Sequence, residues 1–249
     1  DLVGAVILTL DVTEKEAQEQ YRREFTANVS HELKTPLTSI SGIAEIIKGG
    51  LVKPQDIPGF ADDIYGEAQR MIRLVEDILR LSHLDEGAPG QERRQGIDLY
   101  ALCERAVASL AEAARQRGIA ISLTGSRQRV DGAEKLLAEI IFNLCDNAIK
   151  YNQENGHVAV SVTREGDRVV LTVQDTGIGI PPGETDRVFE RFYRVDKSHS
   201  KEIGGTGLGL SIVKHAAAYH DAKIQLDSQL GRGTRVRVLF PLSQREAQP

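Results

Sequence analysis

The chain has 249 residues, with 36 acidic side chains against 31 Lys and Arg, a net charge of −5 and 41% hydrophobic content. That size and composition suit one or two soluble domains, and the mild acidity argues against a nucleic-acid binder built on a basic surface. The two cysteines, Cys103 and Cys145, form no CxxC and fall in helix-like segments, which disfavours a disulfide framework or a zinc site and fits a reducing cytoplasm.

No apolar run approaches the ~20 residues of a membrane span, and there is no signal peptide. The chain starts at Asp1 without a methionine and so reads as a piece of something longer. Residues 2–10, LVGAVILTL, have the pattern of a buried strand, and DVTEKEAQEQYRREF after them is a charged helix start with Thr13 as N-cap. The pairing resembles the last strand of a PAS-type sensor and the signalling helix that leaves it. A strand belonging to this chain's own fold is the alternative of nearly equal weight.

Residues 25–47, FTANVSHELKTPLTSISGIAEII, form an amphipathic helix whose stripe is Val29, Leu33, Ile40, Ile43 and Ile47. His31 is two residues from both Val29 and Leu33, so at 100° per residue it points away from the stripe and into solvent. Thr35 stands one turn further on over the same face, and Glu32 sits beside the imidazole. Pro36 returns no N–H to the carbonyl of Glu32, which predicts a bend or a loosening one turn after the histidine. The string SHELKTPL resembles the H box of HisKA-type sensor histidine kinases, in which the histidine takes a phosphoryl group from ATP.

The run KGGLVKPQD breaks that helix. A second helix then spans about 57–84, with Ile57, Ile64, Met71 and Ile78 at heptads and Phe60, Leu74 and Leu81 on the adjoining line. Such a hairpin cannot bury both stripes by itself, and a second copy would complete a dimeric four-helix bundle about a two-fold axis. Docking of the hairpin on the downstream domain is the other solution. Residues 85–96, DEGAPGQERRQG, read as a flexible linker. Helical periods follow at about 98–117, 133–151 and 207–219, and strand-like runs at 119–123, 157–164, 168–174, 223–228 and 233–240, which predicts a two-layer α/β sandwich.

This second domain carries four signals. In NLCDNAIKYN, Asn143 and Asn147 are one helical turn apart, so their amide oxygens face one way as hard ligands for Mg²⁺, with Lys150 and Tyr151 alongside. DTGIGIP at 175–181 follows a strand; Asp175 can accept a hydrogen bond from an exocyclic amine while the glycines allow a close backbone approach. FERFYRVDKSHSK at 189–201 mixes aromatics with cations. It leads into GGTGLGLSIVK, where Gly205, Gly207 and Gly209 precede a helix whose N–H groups can converge on an anion.

In this order the four resemble the N, G1, F and G2 boxes of the histidine kinase ATP domain, a fold shared with gyrase-type ATPases. With the H box, the resemblance covers roughly residues 13–243. It implies four segments: a remnant sensor strand at 1–12, a signalling helix and phosphotransfer hairpin at 13–86, a linker at 87–96 and the ATP domain at 97–249. It also implies Asn147 as main Mg²⁺ ligand with Asn143 nearby, Lys150 and Tyr151 on phosphate and nucleotide, and Asp175 on adenine with Gly177 and Gly179 shaping the pocket. Phe189 and Phe192 would anchor a lid, Gly205, Gly207 and Gly209 would hold the phosphate end, and Arg194 would reach the γ-phosphate. The implied activity is autophosphorylation of His31 from ATP and Mg²⁺, with Glu32 as its hydrogen-bond partner, then transfer to a response regulator receiver domain. Thr35 would orient water for dephosphorylating that regulator. The implied setting is a homodimer without nucleic acid, in which this portion is cytoplasmic and makes no membrane contact although the full-length protein is anchored in a bacterial membrane. Two rival readings are a gyrase-type ATP hydrolase, which needs a glutamate where Asn143 stands, and a silent signalling scaffold.

Overall fold

The structure, a computed structural model, describes residues 13–85, 94–195 and 205–243. The strand expected at 2–10, residues 86–93 of the linker region, and Lys197 and Lys201 lie outside the described residues. Contacts divide the chain into two compact units, one ending at Ile72 and the other starting at Arg73.

In the first unit, α1 (Thr13–Lys48) begins at the residue expected as its N-cap and runs through Pro36 without interruption. Pro36 is itself buried. Around it Ser30, Thr35 and Thr38 donate to the carbonyls of Thr26, His31 and Lys34, one turn back in each case, at 2.9, 3.2 and 2.8 Å. The stripe residues Val29, Leu33, Ile40, Ile43 and Ile47 are half-buried and His31 is exposed, as the 3.6-residue period demands. Gly49 and Gly50 end the helix, a 3₁₀ turn spans Pro54–Asp56, and α2 (Ile57–Asp85) follows. Leu37, Ile46, Tyr65 and Ile72 remain exposed.

The second unit takes in the last turns of α2, whose Leu74 and Leu81 are buried and whose Leu84 packs on the α/β core. It continues through β1 (Arg94–Asp98), α3 (Leu99–Gln116), β2 (Ala120–Gly125), β3 (Arg129–Gly132), α4 (Glu134–Lys150), β4 (His157–Glu165) and β5 (Arg168–Asp175). A 3₁₀ turn at Arg187–Phe189, α5 (Gly209–Tyr219), β6 (Lys223–Gln229) and β7 (Gly233–Pro241) complete it. The main sheet has the order β2-β4-β5-β7-β6, with β2 parallel to β4 and the other pairs antiparallel. One sheet face, carried by residues such as Val158, Val160, Leu171, Val238 and Phe240, is buried with Leu137, Ile141 and Ala217 of the helices, while Arg235 and Arg237 stay on the polar side. This is the expected two-layer sandwich with a helical region before it. One difference stands out: β1 opens inside the stretch read as linker and pairs antiparallel with β3. The pairing shifts register between Arg94 and Ile97, at Gly96 with its φ of +70°.

Two caps fix the helices that matter most. Asp98 accepts from the N–H of Ala101 at the start of α3 at 3.1 Å. At α4 the N-cap is Ala133, which has no side chain to offer, and buried His220 from just beyond α5 takes over, accepting the Ala133 N–H at Nε2 at 3.0 Å. Its Nδ1 meets the Ala216 carbonyl at 2.6 Å, so the tautomer with Nδ1–H satisfies both. Each such buried bond contributes about 1 kcal/mol. Together they tie the start of the Asn-bearing helix to the end of the helix that follows the glycine loop.

Candidate active site

A single cavity of about 620 Å³ in the second unit gathers Asn143, Asp146, Asn147, Lys150 and Tyr151 of the α4 segment, Asp175 and Gly179 after β5, Arg194, and Gly205, Gly207 and Gly209 at the start of α5. Its apolar wall includes Val173, Ile178, Ile180, Leu226 and Leu230. An apolar pocket with a few convergent polar groups is the usual form of a small-molecule site.

Asp175 closes the apolar end. Its Oδ1 accepts the N–H groups of Gly177 at 2.8 Å and Thr234 at 3.1 Å. Burial pushes its carboxyl above the usual carboxylate range, and those two backbone bonds pull it part of the way back. The turn behind it is wired from both sides: the Ile178 N–H donates to the Tyr151 carbonyl at 3.0 Å, and the Ile180 N–H to Ser228 Oγ at 2.9 Å. Gly179 has φ +66°, and a Cβ there would lie 2.1 Å from the Gln229 carbonyl oxygen, so only glycine fits. Gly177 does not line the cavity; it packs against the Tyr151 carbonyl behind it.

At the polar end, Asn143 donates from Nδ2 to the Glu139 carbonyl at 2.9 Å, which leaves its Oδ1 facing Gly209; a Cβ at Gly209 would stand 2.8 Å from that oxygen. Asn147 lies one turn further along α4, and the Lys150 ammonium is paired with Asp146 at 2.5 Å. Among the described residues no cluster of three His, Cys, Asp or Glu side chains is placed to hold a metal. The neutral amides of Asn143 and Asn147 lie together in the cavity and are the groups that could hold a cation there. The pair fits Mg²⁺, which keeps several waters and takes few protein ligands when phosphates supply the rest.

Of the aromatic segment, Tyr193 lines the cavity, whereas Phe189 and Phe192 do not, and Phe192 supports the loop before α5. Phe192 adopts φ +62° and donates its N–H to the Gly207 carbonyl at 2.9 Å; a Cβ on Gly207, itself at φ +73°, would be 2.9 Å from the Phe192 backbone. Phe189 is half-buried in the 3₁₀ turn, Arg187 stacks over Tyr193 at 4.2 Å, and Tyr193 hydrogen-bonds Glu184. His31, Glu32 and Thr35 belong to α1 in the first unit.

Sequence reasoning missed several polar groups that line the cavity, Asp146, Asp77, Arg80 and Thr206 among them. Asp146 was legible as an i,i+4 partner of Lys150. Asp77 and Arg80 on α2 and Thr206 in the glycine loop were not, because the Thr206 hydroxyl meets Asp77 Oδ2 at 2.7 Å across 129 positions of sequence. The two cysteines are buried, and desolvation pushes both thiols up, Cys145 to about 12, so neither is a reactive thiolate.

An α/β sandwich with amide, aspartate and glycine-loop groups around one pocket, preceded by helices that present a histidine, defines the class of histidine kinase with a gyrase- and HSP90-like ATPase fold. Residues 21–87 match the family model of the His Kinase A (phospho-acceptor) domain, and residues 132–244 that of the histidine kinase-, DNA gyrase B- and HSP90-like ATPases. The chain is 39% identical over 238 residues to the sensor-like histidine kinase SenX3 of Mycolicibacterium smegmatis, covering 95% of this chain and 62% of that protein. It is 37% identical over 247 residues to the sensor histidine kinase WalK of Bacillus subtilis, covering 98% and 40%. The full-length structure of ShkA in complex with AMPPNP superposes with a TM-score of 0.63 at 27% identity, over 88% of this chain and 46% of that one. The chain belongs to the two-component sensor histidine kinases, and it spans less than two thirds of the length of these curated relatives.

Proposed function

We propose that this chain is an ATP-dependent protein-histidine kinase that phosphorylates its own His31 and passes the group to an aspartate on the receiver domain of a response regulator. The observation that carries this reading is the joint presence of an exposed His31 on α1 and a cavity with an aspartate at its apolar end and glycine-loop groups at its polar end. The AMPPNP bound by ShkA supports a nucleoside triphosphate as the occupant. Asp175 accepts the adenine amino group through its remaining carboxylate oxygen, Ile178, Ile180 and Leu230 flank the base, and the N–H groups before α5 meet the phosphates. Arg194 and Lys150 offset the charge of the γ-phosphoryl group. Asn147 and Asn143 would hold Mg²⁺, which neutralises charge on the phosphoryl oxygens when bound.

In the transfer itself a neutral ring nitrogen of His31 attacks the γ-phosphorus in line, the bond to the β-phosphate oxygen breaks, and ADP leaves. Glu32 accepts the hydrogen bond from the other ring nitrogen and stabilises the imidazolium character that develops. This step requires the γ-phosphate of the bound nucleotide to meet the His31 ring. The exposed apolar residues Leu37, Ile46, Tyr65 and Ile72 support a homodimer through the hairpin. No helix among the described residues is long and apolar enough to cross a membrane; this reading makes the chain a cytoplasmic portion of a longer, membrane-anchored sensor kinase. Incubation with γ-labelled ATP and Mg²⁺ tests the reading: label retained on the protein is the expected result, and release of free phosphate without protein label would instead favour a hydrolase.

The raised carboxyl of Asp175 gives the site a pH signature. An amine that donates to it needs the carboxylate, so binding favours the ionised form. Affinity for ATP is therefore expected to fall as pH drops through the raised value, starting at a higher pH than an ordinary aspartate would allow. Asp175→Asn should bind roughly tenfold or more weakly, with that dependence flattened; titration calorimetry across pH on both proteins checks it.

Thr35→Ala is expected to keep autophosphorylation within about twofold while slowing dephosphorylation of the partner regulator by about tenfold or more. Its hydroxyl donates to the His31 carbonyl, so its lone pairs remain to orient a water over the same exposed face. Equal loss of both rates in one purified preparation would mean that Thr35 only shapes the helix before Pro36 and would reject the phosphatase role.

A further inference from the structure

The last turns of α2 carry a carboxylate into the polar end of the cavity. Asp77 Oδ2 accepts the Thr206 hydroxyl at 2.7 Å, and Thr206 Oγ1 in turn accepts the N–H of Leu208, the N-cap residue of α5, at 3.3 Å. A backbone donor at the start of α5 is thus engaged by a hydroxyl that is oriented by a negative charge from α2. Arg80 keeps this part of α2 in place, 3.8 Å from Asp77 and 3.7 Å from Glu139 on α4. Lys150, already paired with Asp146, exerts a further attraction on Asp77. Burial works against the arrangement and pushes the Asp77 carboxyl up from its ordinary value, although the Thr206 bond, Arg80 and Lys150 partly offset this.

We propose that Asp77 is a built-in competitor of the nucleotide phosphates: its carboxylate, held on Thr206, uses the glycine loop that the triphosphate needs and places a like charge beside it. The inference rests on the nucleotide-site reading above. It makes α2 a sensor of nucleotide by simple linkage. Whatever weakens the grip of α2 on Thr206 tightens the triphosphate, and the triphosphate in turn releases α2. Because the mechanism is electrostatic, the effect must grow with the number of phosphates and vanish for a ligand that has none.

The test is titration calorimetry of ATP, ADP and adenosine into the whole chain in three forms: wild type, Asp77→Asn, which keeps an acceptor for Thr206 but removes the charge, and Asp77→Ala. Both variants are expected to bind ATP about three- to tenfold more tightly, ADP by a smaller factor, and adenosine unchanged. Unchanged or weaker ATP binding in both variants, or an equal gain for adenosine, would overturn the proposal. If the wild-type chain bound neither ATP nor adenosine, the nucleotide-site reading itself would fall. Thermal melting of each variant shows that the comparison is made on folded protein, and Asp77→Ala decides the matter if Asp77→Asn does not fold.

Discussion

Asn147→Asp is expected to reduce labelling of the chain by γ-labelled ATP by about a hundredfold or more, with no change in thermal midpoint beyond a degree or two. The amide at 147 can give an oxygen to a cation and an N–H to a phosphate, whereas a carboxylate offers only acceptors and adds a charge that repels the triphosphate. It stands beside Asn143 and near Gly209, where the helix start leaves no side chain in the way. The fold should be indifferent because Asn147 is a half-buried residue on the cavity side of α4, whereas Leu144, Cys145 and Ala148 between its turns hold the core. Labelling and melting measured on one preparation check both halves. Normal labelling would remove Asn147 from the metal site.

The second large effect is at the acceptor. His31→Gln is expected to abolish protein-bound label entirely while leaving ATP affinity within about twofold of wild type. The imidazole is the nucleophile, and an amide nitrogen cannot replace it because its lone pair is delocalised. The cavity residues belong to the second unit, so nothing in the pocket changes with the side chain at 31. Persistent label on the variant would show that another residue accepts the phosphoryl group, and loss of ATP binding would show that His31 serves the pocket rather than the chemistry.

Local pattern made much of this architecture legible. Alternating apolar residues marked β4 and β7, and a 3.6-residue period marked α3 and α4, because each element buries one face on a common core. The aspartate and glycines around the cavity were visible for a similar reason: Asp175 ends β5 and Gly179 follows four residues later in the turn after it, and a turn is a local object. What was not legible depends on distant partners. The segment RQGID of β1 is short and polar, interrupted by Gly96, and becomes a strand only through pairing with Arg129–Gly132. The role of α2 was ambiguous for a different reason. Heptad residues such as Leu74 and Leu81 show that a helix face is buried but not which surface buries it, and here the compact unit that holds them begins at Arg73. Nothing local to Asp77 marks its role, because its partner Thr206 lies 129 positions along the chain. His220 likewise gave no local sign that it would cap α4, 87 positions away.

The central claim is that the phosphoryl group of ATP ends on the ring of His31. Peptide mapping by mass spectrometry after reaction with ATP and Mg²⁺, under neutral conditions that preserve phosphoramidates, tests it most directly. The account predicts a single phosphorylated peptide containing residues 24–34, with the group on His31, lost in acid and retained in base. Phosphate found on a serine or threonine, stable in acid, or ATP converted to ADP with no modified peptide, would contradict it.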